Sequence, residues 1–235
     1  MKIDIDEVRD LYETVKNVWP DDDMWHQYSK KQIWKYINRM KYGEDRYLLN
    51  AGSGGNDYGL KCRMVHVDIA ENKINNFKEY KVASIESMPF DPHTFTDVIC
   101  VGSVINYCDA LTAIHELSRV LKPNGSLILE FESSWGYEHR KSDAFKRDAE
   151  IVRLLYFGEY YPLWIFSPKY ICNILHLAGF EIYDKFRFHF LSGISYSKHQ
   201  DENRAARYAK FDWLCRILPI IKQHSSNIIY RCIKR

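Results

Sequence analysis

A short apolar segment that runs directly into closely spaced glycines constrains this chain more than any other feature. The segment Tyr47-Leu-Leu-Asn-Ala-Gly-Ser-Gly-Gly-Asn56 is followed by Met64-Val-His-Val-Asp68. This pattern predicts a buried strand, a glycine loop and a second strand that ends in a carboxylate. Glycines allow the backbone to approach a ligand closely, and an acid at the tip of a neighbouring strand can accept hydrogen bonds from ribose hydroxyls. We therefore expect a pocket for a nucleoside cofactor.

Further apolar runs follow the glycine loop, and their unbroken character is typical of strands that are buried on both faces of a parallel sheet. Between two of these runs lies a helix over about 110–121, which Asp109 can cap. A second helix begins with Ser167-Pro168 and stops at Gly179. Alternating strands and helices predict an α/β doubly wound sheet, in which ligands bind beyond the carboxyl ends of the strands. The predicted strands are 46–51, 63–69, 80–84, 95–102, 126–132, 180–188 and 227–233.

The segments outside this pattern predict the domain organisation. Amphipathic helices over 5–19 and 24–41 form an N-terminal helical cap, residues 1–45, and the second helix places Ile33, Trp34, Ile37 and Met40 on one face. Residues 46–235 form the cofactor-binding domain. Two inserts should build the acceptor side: 134–165, which has no strand pattern, and 189–226, which contains a helix at 203–218.

Composition excludes several classes of protein. A length of 235 residues fits one domain, or one domain with a cap, and the net charge of +2 gives no strong field towards nucleic acid or an anionic membrane. None of the six cysteines forms a C-x-x-C pair or a zinc-type spacing, which favours reduced thiols in the cytoplasm. No window is apolar and long enough for a membrane span, and no metal site is expected.

Five segments resemble the class I S-adenosylmethionine-dependent methyltransferases, in particular the type 11 group. They occur in that family's order and spacing, and the resemblance is strong over residues 46–132 and looser over 166–188 and 227–235. The segments are Leu-Leu-Asn-Ala-Gly-Ser-Gly-Gly, Val-His-Val-Asp-Ile, Ala83-Ser-Ile-Glu-Ser-Met-Pro-Phe90, Phe95-Thr-Asp-Val-Ile-Cys-Val-Gly-Ser103 and His115-Glu-Leu-Ser-Arg-Val-Leu-Lys-Pro-Asn-Gly125.

The resemblance implies a Rossmann-like sheet of about seven strands with the last strand antiparallel and a helical lid. It also implies S-adenosylmethionine as the cofactor and S-adenosylhomocysteine as the product. The backbone of the glycine loop should hold the methionine part, Asp68 the ribose hydroxyls, and Ile69 the adenine face. The implied cofactor-binding residues are Asn50, Ala51, Gly52, Ser53, Gly54, Asp68, Ile69, Ser84, Ile85, Glu86, Gly102, Ser103 and Val104.

Three departures from the family pattern stand out. Asn50 replaces the acid that usually ends the first strand, and Ser84 replaces the acid at the adenine edge, so two charge-assisted hydrogen bonds are lost. Only eight residues separate Gly54 from Arg63, which is too few for a full crossover helix. We therefore expect a turn or a single helical turn there, and similarly between Asp68 and Lys81.

The acceptor-side residues are less sharply defined. Tyr107 and Asn106 follow the fourth strand and should face the transferred methyl group, and His139 is the candidate general base because its ordinary pKa suits neutral pH. The candidate catalytic residues are His139 and Tyr107, and the candidate substrate residues are Asn106, Tyr156, Tyr160 and Tyr161. A solvated loop histidine and plain lid packing of the tyrosines are the competing interpretations.

Together these features predict a cytoplasmic methyltransferase that acts on oxygen or nitrogen of a small-molecule or saccharide-like acceptor. An RNA or protein methyltransferase, or a catalytically inactive protein that binds the cofactor for regulation, are the alternatives. The helix at 203–218 is expected to pack in the lid or to contact a second copy of the chain in a homodimer.

Overall fold

A computed structural model describes residues 3–40, 42–156, 159–213 and 223–235, with the side chain of Tyr156 excepted. Its centre is a seven-stranded sheet, and a separate hairpin of two strands lies beside it. The strands are β1 (Tyr47–Ala51), β2 (Arg63–Asp68), β3 (Tyr80–Val82), β4 (Phe95–Cys100), β5 (Leu121–Glu132), β6 (Ala149–Tyr156), β7 (Glu159–Phe166), β8 (Phe180–Phe188) and β9 (Asn227–Lys234). The α-helices are α1 (Ile5–Thr14), α2 (Met24–Ile37), α3 (Glu71–Ile74), α4 (Ala110–Val120), α5 (Pro168–Leu177), α6 (Leu191–His199) and α7 (Glu202–Ala209).

The strand order is β3-β2-β1-β4-β5-β9-β8, and strands β1 to β5 pair in parallel. Strand β9 runs antiparallel between β5 and β8. This arrangement confirms the predicted seven-stranded sheet with its last strand antiparallel. The chain adds β2 and β3 on one side of β1 and then places β4 on its other side. A crevice therefore opens at the carboxyl edge between β2 and β4.

The first crossovers are short, as their lengths required. No helix lies between β1 and β2, and α3, between β2 and β3, is a single turn. The face of the sheet that a crossover helix would otherwise cover is covered by α2, because Ile33, Tyr36 and Ile37 pack against Leu48 and Ile99. Helix α2 is therefore part of the core of the molecule.

The other face is covered by α4 and α5, whose ends follow the sequence signals. The carboxylate of Asp109 accepts a hydrogen bond from the Thr112 N–H, and the Ser167 hydroxyl accepts one from the Tyr170 N–H. Gly179 has φ +82° after α5, a left-handed conformation that glycine adopts without a Cβ penalty. Ile114 and Leu117 of α4 are fully buried against the sheet.

Several sequence predictions were wrong in detail. The segment 134–165, for which no strand pattern was recognised, contains β6 and most of β7, paired antiparallel. Mixed aromatic and charged residues made the alternation hard to recognise. Pro162 is compatible with a strand here because both strands of this two-stranded hairpin are edge strands. Trp34 does not share the buried face of α2, since its side chain is 48% exposed.

The segment between β8 and β9 also differs from its prediction. Its described residues contain the α-helices α6 and α7, and α7 ends at Ala209, within the range 203–218 that was predicted as one helix. The inward residues of α7 are Ala205, Ala206 and Ala209, whereas Phe211 follows the helix and is 41% exposed. The other predicted apolar positions of that helix, Leu214, Cys215 and Leu218, lie outside the described residues. Within the described ranges, no helix has the length and apolar character needed to cross a membrane.

Candidate functional site

The carboxyl edges of β1, β2, β4 and β5 open into one deep crevice, and most of the sequence-predicted site residues line it. The predicted residues in its wall are Gly52, Ser53, Gly54, Asp68, Ile69, Ser84, Ile85, Gly102, Ser103, Val104, Tyr107, His139 and Tyr161. Residues that the sequence did not single out for this site complete the wall, among them Trp19, His26, Tyr58, Glu130, Glu132, Glu138, Tyr196 and Glu202. We call this space the crevice.

The glycine loop after β1 is folded tightly against β2. The Gly52 and Ser53 N–H groups donate to the Val67 carbonyl over 2.8 and 3.0 Å. Gly52 has φ +72°, and a Cβ there would overlap both Cγ atoms of Val104. The loop after β1 and the loop after β4 therefore approach more closely than any larger residue at position 52 would allow.

Asp68 ends β2 at the wall of the crevice. Its Oδ2 accepts a hydrogen bond from the Gly54 N–H at 2.8 Å, and Oδ1 accepts one from the Ala70 N–H at 3.0 Å. Burial raises the pKa of this carboxyl, and the backbone hydrogen bonds oppose that shift. A carboxylate offers about four lone-pair positions, so each oxygen keeps capacity for a ligand hydroxyl. Its role towards a ribose stays a prediction.

Asn50 lies beneath the loop and is not in the crevice wall. Its side-chain Nδ2 donates to the Asn56 carbonyl at 2.6 Å and to the Ser53 hydroxyl at 3.3 Å. A carboxylate at this position could not donate to a carbonyl, so the asparagine amide shapes the loop from below. Ala51 is likewise fully buried outside the crevice wall.

The adenine-edge residues lie partly in the crevice wall and partly at the start of α4. Ser84 and Ile85 line the crevice beyond β3. Glu86 does not, because its Oε1 accepts a hydrogen bond from the Asp109 N–H at 2.6 Å at the start of α4. The sequence assigned all three neighbours to the cofactor, whereas the structure places two of them at the crevice and one at a helix end.

A buried carboxylate that sequence reasoning missed fixes the loop after β4. Glu130 Oε2 accepts from the Gly102 N–H at 2.9 Å and from the Ser103 N–H at 2.6 Å, and its Oε1 accepts from Asn227 Nδ2 at 2.8 Å. Burial raises the pKa of Glu130 to about 7, although these hydrogen bonds favour the charged form. The signal was an acid inside the apolar run Leu127-Ile-Leu-Glu-Phe131, since a charged group in a buried strand needs a structural reason.

Two further glutamates lie beyond the glycine loops, on the acceptor side of the crevice. Burial raises the pKa of Glu132 to about 7 despite a hydrogen bond from the Ser103 side chain. Burial also raises the pKa of Glu138 to about 7, and its Oε2 accepts from the Ser226 hydroxyl at 2.7 Å. Near neutral pH, both groups are therefore poised between their charged and neutral forms.

His139, the candidate base, is only 6% exposed, and it lines the crevice beside Glu138. Its Nε2 lies 3.5 Å from Glu138 Oε1. Burial lowers the pKa of His139 to about 4, so the imidazole is neutral at neutral pH and is a weaker base than an exposed histidine.

His26 of α2 is the second imidazole in the crevice wall. Its Nδ1 lies 2.5 Å from Asp23 Oδ2. Burial lowers the pKa of His26, but Asp23, together with the charges of Glu202 and Glu132, outweighs burial and raises it overall. His26 is thus the imidazole that carries a proton more readily, and it lies in a helix that sequence reasoning assigned to the cap.

Tyr107 lies in the wall with its ring edge-on to Tyr12 at 5.9 Å between centroids. Burial raises the pKa of Tyr107 to about 12, so its phenol stays neutral and offers a hydrogen bond, not a phenolate base. The other tyrosines divide: Tyr161 lines the crevice, Tyr160 is 62% exposed, and the side chain of Tyr156 lies outside the described part of the chain.

Asn106 is fully buried away from the crevice. Its Nδ2 donates to the carbonyls of Trp164 at 2.6 Å and Glu132 at 3.3 Å, and its Oδ1 accepts from the Glu132 N–H at 3.0 Å. The amide joins β5 to the hairpin strand β7. The hairpin is therefore attached to the sheet at the point where it covers the crevice.

Comparison with known proteins agrees with this fold. A seven-stranded sheet with one antiparallel strand and a crevice at its carboxyl edge defines the class I methyltransferase fold. Residues 47–129 match a family model described as "Methyltransferase domain" of the type 11 group. The match over this part of the chain supports the resemblance to class I S-adenosylmethionine-dependent methyltransferases that the five sequence segments indicated.

Individual relatives are distant. An uncharacterised protein of Methanocaldococcus jannaschii is 31% identical over 42% of this chain, and the match spans only 46% of that relative. The cyclase SpnF superimposes over 100% of this chain and 97% of its own, with a TM-score of 0.63 and 16% identity. The Burkholderia thailandensis 1,6-didemethyltoxoflavin-N1-methyltransferase, crystallised with S-adenosylhomocysteine, covers 97% of this chain and 86% of its own, with a TM-score of 0.57 and 11% identity. At these identities, the two structures show the fold alone.

Proposed function

We propose that this chain transfers a methyl group from S-adenosylmethionine to an oxygen or nitrogen atom of a small acceptor held in the crevice. The observation that carries the proposal is Asp68, which ends β2 beside the glycine loop at the point where strand order reverses. Its carboxylate is held by Gly54 and Ala70 and keeps lone pairs for a sugar diol. The match of residues 47–129 to the methyltransferase family model supports the same cofactor.

The residues present fit an adenosyl group with a methionine tail. Ile69, Ser84 and Ile85 supply an apolar slot beyond Asp68, while Gly52, Gly54 and Gly102 keep the opposite wall free of side chains. Trp19 lies over Gly102, within 3.5 Å of the position a Cβ would take. When bound, the cofactor supplies an electrophilic methyl group on a sulfonium sulfur.

The contribution of the protein to methyl transfer is to hold the acceptor and to exclude water. Helices α1 and α2 cover one side of the crevice, and hairpin residues Leu154, Leu155 and Leu163 contribute to another. A covered crevice favours a small acceptor over an RNA or protein chain. The five described cysteines are all free, which supports the proposed cytoplasmic location.

Asp68→Asn tests the cofactor site. We expect the affinity for S-adenosylhomocysteine, measured by titration calorimetry, to fall by about 1–3 kcal/mol, because an amide replaces a carboxylate that accepts hydrogen bonds from buried partners. Asp91→Asn, at an exposed position, is the matched control and should bind normally. Unchanged affinity in Asp68→Asn would contradict the site.

A methyl-transfer assay distinguishes a small-molecule methyltransferase from an RNA or protein methyltransferase and from an inactive binding protein. Purified protein is incubated with methyl-labelled S-adenosylmethionine and either a small-molecule extract, RNA or protein. Label in the small-molecule fraction supports the proposal, and label in RNA or protein would replace it with the other acceptor class. Cofactor binding without transfer to any fraction would identify a regulatory binding protein.

A further inference from the structure

The acceptor side of the crevice is rich in acidic side chains. Glu132, Glu138 and Glu202 line it, together with His26, whose ring is paired with Asp23. Within the described ranges, the crevice wall contains no lysine or arginine. A chain with 33 basic and 31 acidic residues has no overall acidic bias, so this separation is local to the crevice.

These carboxyls act on one another through their charges. Burial and the charges of Glu138 and Glu202 raise the pKa of Glu132, and burial raises the pKa of Glu202 as well, while the charge of His26 acts in the opposite direction on both. Burial makes the ionised acids costly, and His26, already paired with Asp23, offsets only part of that cost. An ammonium group among them would restore ionisation and form charge-assisted hydrogen bonds.

A second observation indicates a polar ligand in the same space. The His139 ring is 94% buried and lines the crevice, yet its one described side-chain polar contact is the 3.5 Å approach to Glu138. A buried imidazole that is this poorly satisfied has hydrogen-bonding capacity directed at the crevice. The neutral form of the ring can donate to or accept from a bound molecule.

Aromatic rings supply the remaining recognition. Tyr12, Trp25, Tyr161 and Tyr196 line the crevice, and Trp25 is fixed by stacking on His189 at 3.9 Å between ring centroids. Electron-rich ring faces attract a cation and also bind an apolar body. An anionic acceptor would meet acids and aromatic rings here, and His26, whose pKa is raised, is already paired with Asp23.

Resting on the proposed function, we propose that the acceptor is a small organic amine, which enters as its ammonium form and is held by Glu132 and Glu202. In the transfer step, a crevice carboxylate takes one proton from the ammonium nitrogen and leaves the neutral amine. The amine nitrogen then bonds to the methyl carbon while the carbon–sulfur bond breaks and its electron pair stays on sulfur. The products are the N-methylated acceptor in its ammonium form, a neutral thioether and a neutral carboxylic acid, so charge is conserved.

The competing explanation is that these acids balance the positive charge of the cofactor alone. The two explanations differ in which ligand responds when the acids are removed. If the acids serve the cofactor, their variants lose affinity for S-adenosylmethionine, whose sulfur is positively charged. Their affinity for S-adenosylhomocysteine, whose sulfur is neutral, changes little. If they hold the acceptor, cofactor affinity is kept and discrimination among acceptors is lost.

The test uses the full chain saturated with S-adenosylhomocysteine, with EDTA present, and three matched sets of ligands titrated by calorimetry. The sets are phenethylamine, 2-phenylethanol and phenylacetate; tryptamine, indole-3-ethanol and indole-3-acetate; and propylamine, propanol and propionate. In at least one set the amine should bind about tenfold more tightly than the alcohol, with the acid weakest. Equal binding within every set, a preference for the acids, or no amine binding would overturn the proposal.

Glu132→Gln and Glu202→Gln, singly and together, complete the test, because glutamine keeps shape and hydrogen bonding without charge. The preference for amine over alcohol should fall about tenfold in the double variant, while the affinity for both forms of the cofactor changes less than about threefold. Glu181→Gln, outside the crevice, is the matched control. Loss of S-adenosylmethionine binding in the double variant would assign the acids to the cofactor, and failure of the wild-type chain to bind any cofactor would instead reject the proposed function.

Discussion

At the scale of single residues, the site depends on how closely two loops approach each other. Gly52 and Gly59 share a left-handed backbone, with φ +72° and +66°. Only at Gly52 does a neighbouring side chain, Val104, occupy the space a Cβ would need, while a Cβ at Gly59 meets nothing within 4 Å. Substitutions at the two positions therefore distinguish the effect of backbone strain, which both glycines share, from the effect of close approach to a neighbouring side chain, which occurs only at Gly52.

Gly52→Ala should weaken S-adenosylhomocysteine binding at least about tenfold, because the loop has to move away from Val104. Gly59→Ala has similar strain and should lose stability without a comparable loss of affinity. Calorimetric titration and thermal unfolding of both variants measure the two effects. Normal cofactor affinity in Gly52→Ala would mean that the loop does not contact the cofactor.

Buried charge is the second feature at this scale. Glu130 binds two backbone N–H groups of the loop after β4, whereas Glu132 and Glu138 each accept side-chain hydrogen bonds at the crevice wall. Three acids with similarly raised pKa values thus have different local roles. The sequence displayed all three, yet only their contacts distinguish them.

At the scale of elements, the Asn106 amide is one of the attachments between the hairpin β6–β7 and the sheet. Asn106 is followed at once by Tyr107 in the crevice wall, and its side chain contacts both β5 and β7. The strand pattern of the hairpin was missed, and the role predicted for Asn106 was contact with substrate. The structure places this side chain behind the wall, where it sets the position of its neighbours.

Asn106→Ala should lower the free energy of unfolding by about 2–4 kcal/mol, because it leaves the Glu132 N–H and the Trp164 carbonyl unpaired in a buried site. Urea unfolding measures this loss. Asn72→Ala removes one exposed hydrogen bond, to the Glu13 carbonyl, and should cost much less. Equal costs in the two variants would contradict the role of Asn106 as a buried attachment.

At the scale of the whole molecule, buried acids and buried histidines give opposite dependences of stability on pH. Glu138 holds its proton in the folded chain up to a pKa of about 7, whereas its ordinary value is 4.5. Its stabilising effect is therefore complete below the ordinary value and is lost as pH rises through about 7. His139 and His189, with pKa values lowered by burial to about 4 and about 3, destabilise the fold as pH falls below 6.5.

Glu138→Gln isolates one part of this balance. The free energy of unfolding of the wild-type chain should fall relative to that of Glu138→Gln as pH rises from about 6 to about 8, by at most about 1.4 kcal/mol per pH unit. Denaturant unfolding at a series of pH values measures the difference. A constant difference across this range would show that Glu138 is already ionised in the folded chain at the lower end of the range, which would contradict its raised pKa.

Sequence by itself determined the approximate positions of the central strands along the chain, the glycine loop, the acid at the end of β2 and the helix caps. These features depend on residues close together in the chain, where hydrophobic periodicity and hydrogen-bonding capacity are visible directly. The short connection between β1 and β2 also followed from chain length alone. Most of the predicted cofactor residues accordingly line the crevice.

Tertiary structure alone decided which residues complete the acceptor side. Asn203 accepts a hydrogen bond from the Met24 N–H, and Asn227 donates to Glu130, across separations of 179 and 97 residues. Through such contacts α2, β5 and α7 bring His26, Glu132 and Glu202 to one space. No local pattern encodes that convergence, because it depends on how whole elements pack against the sheet.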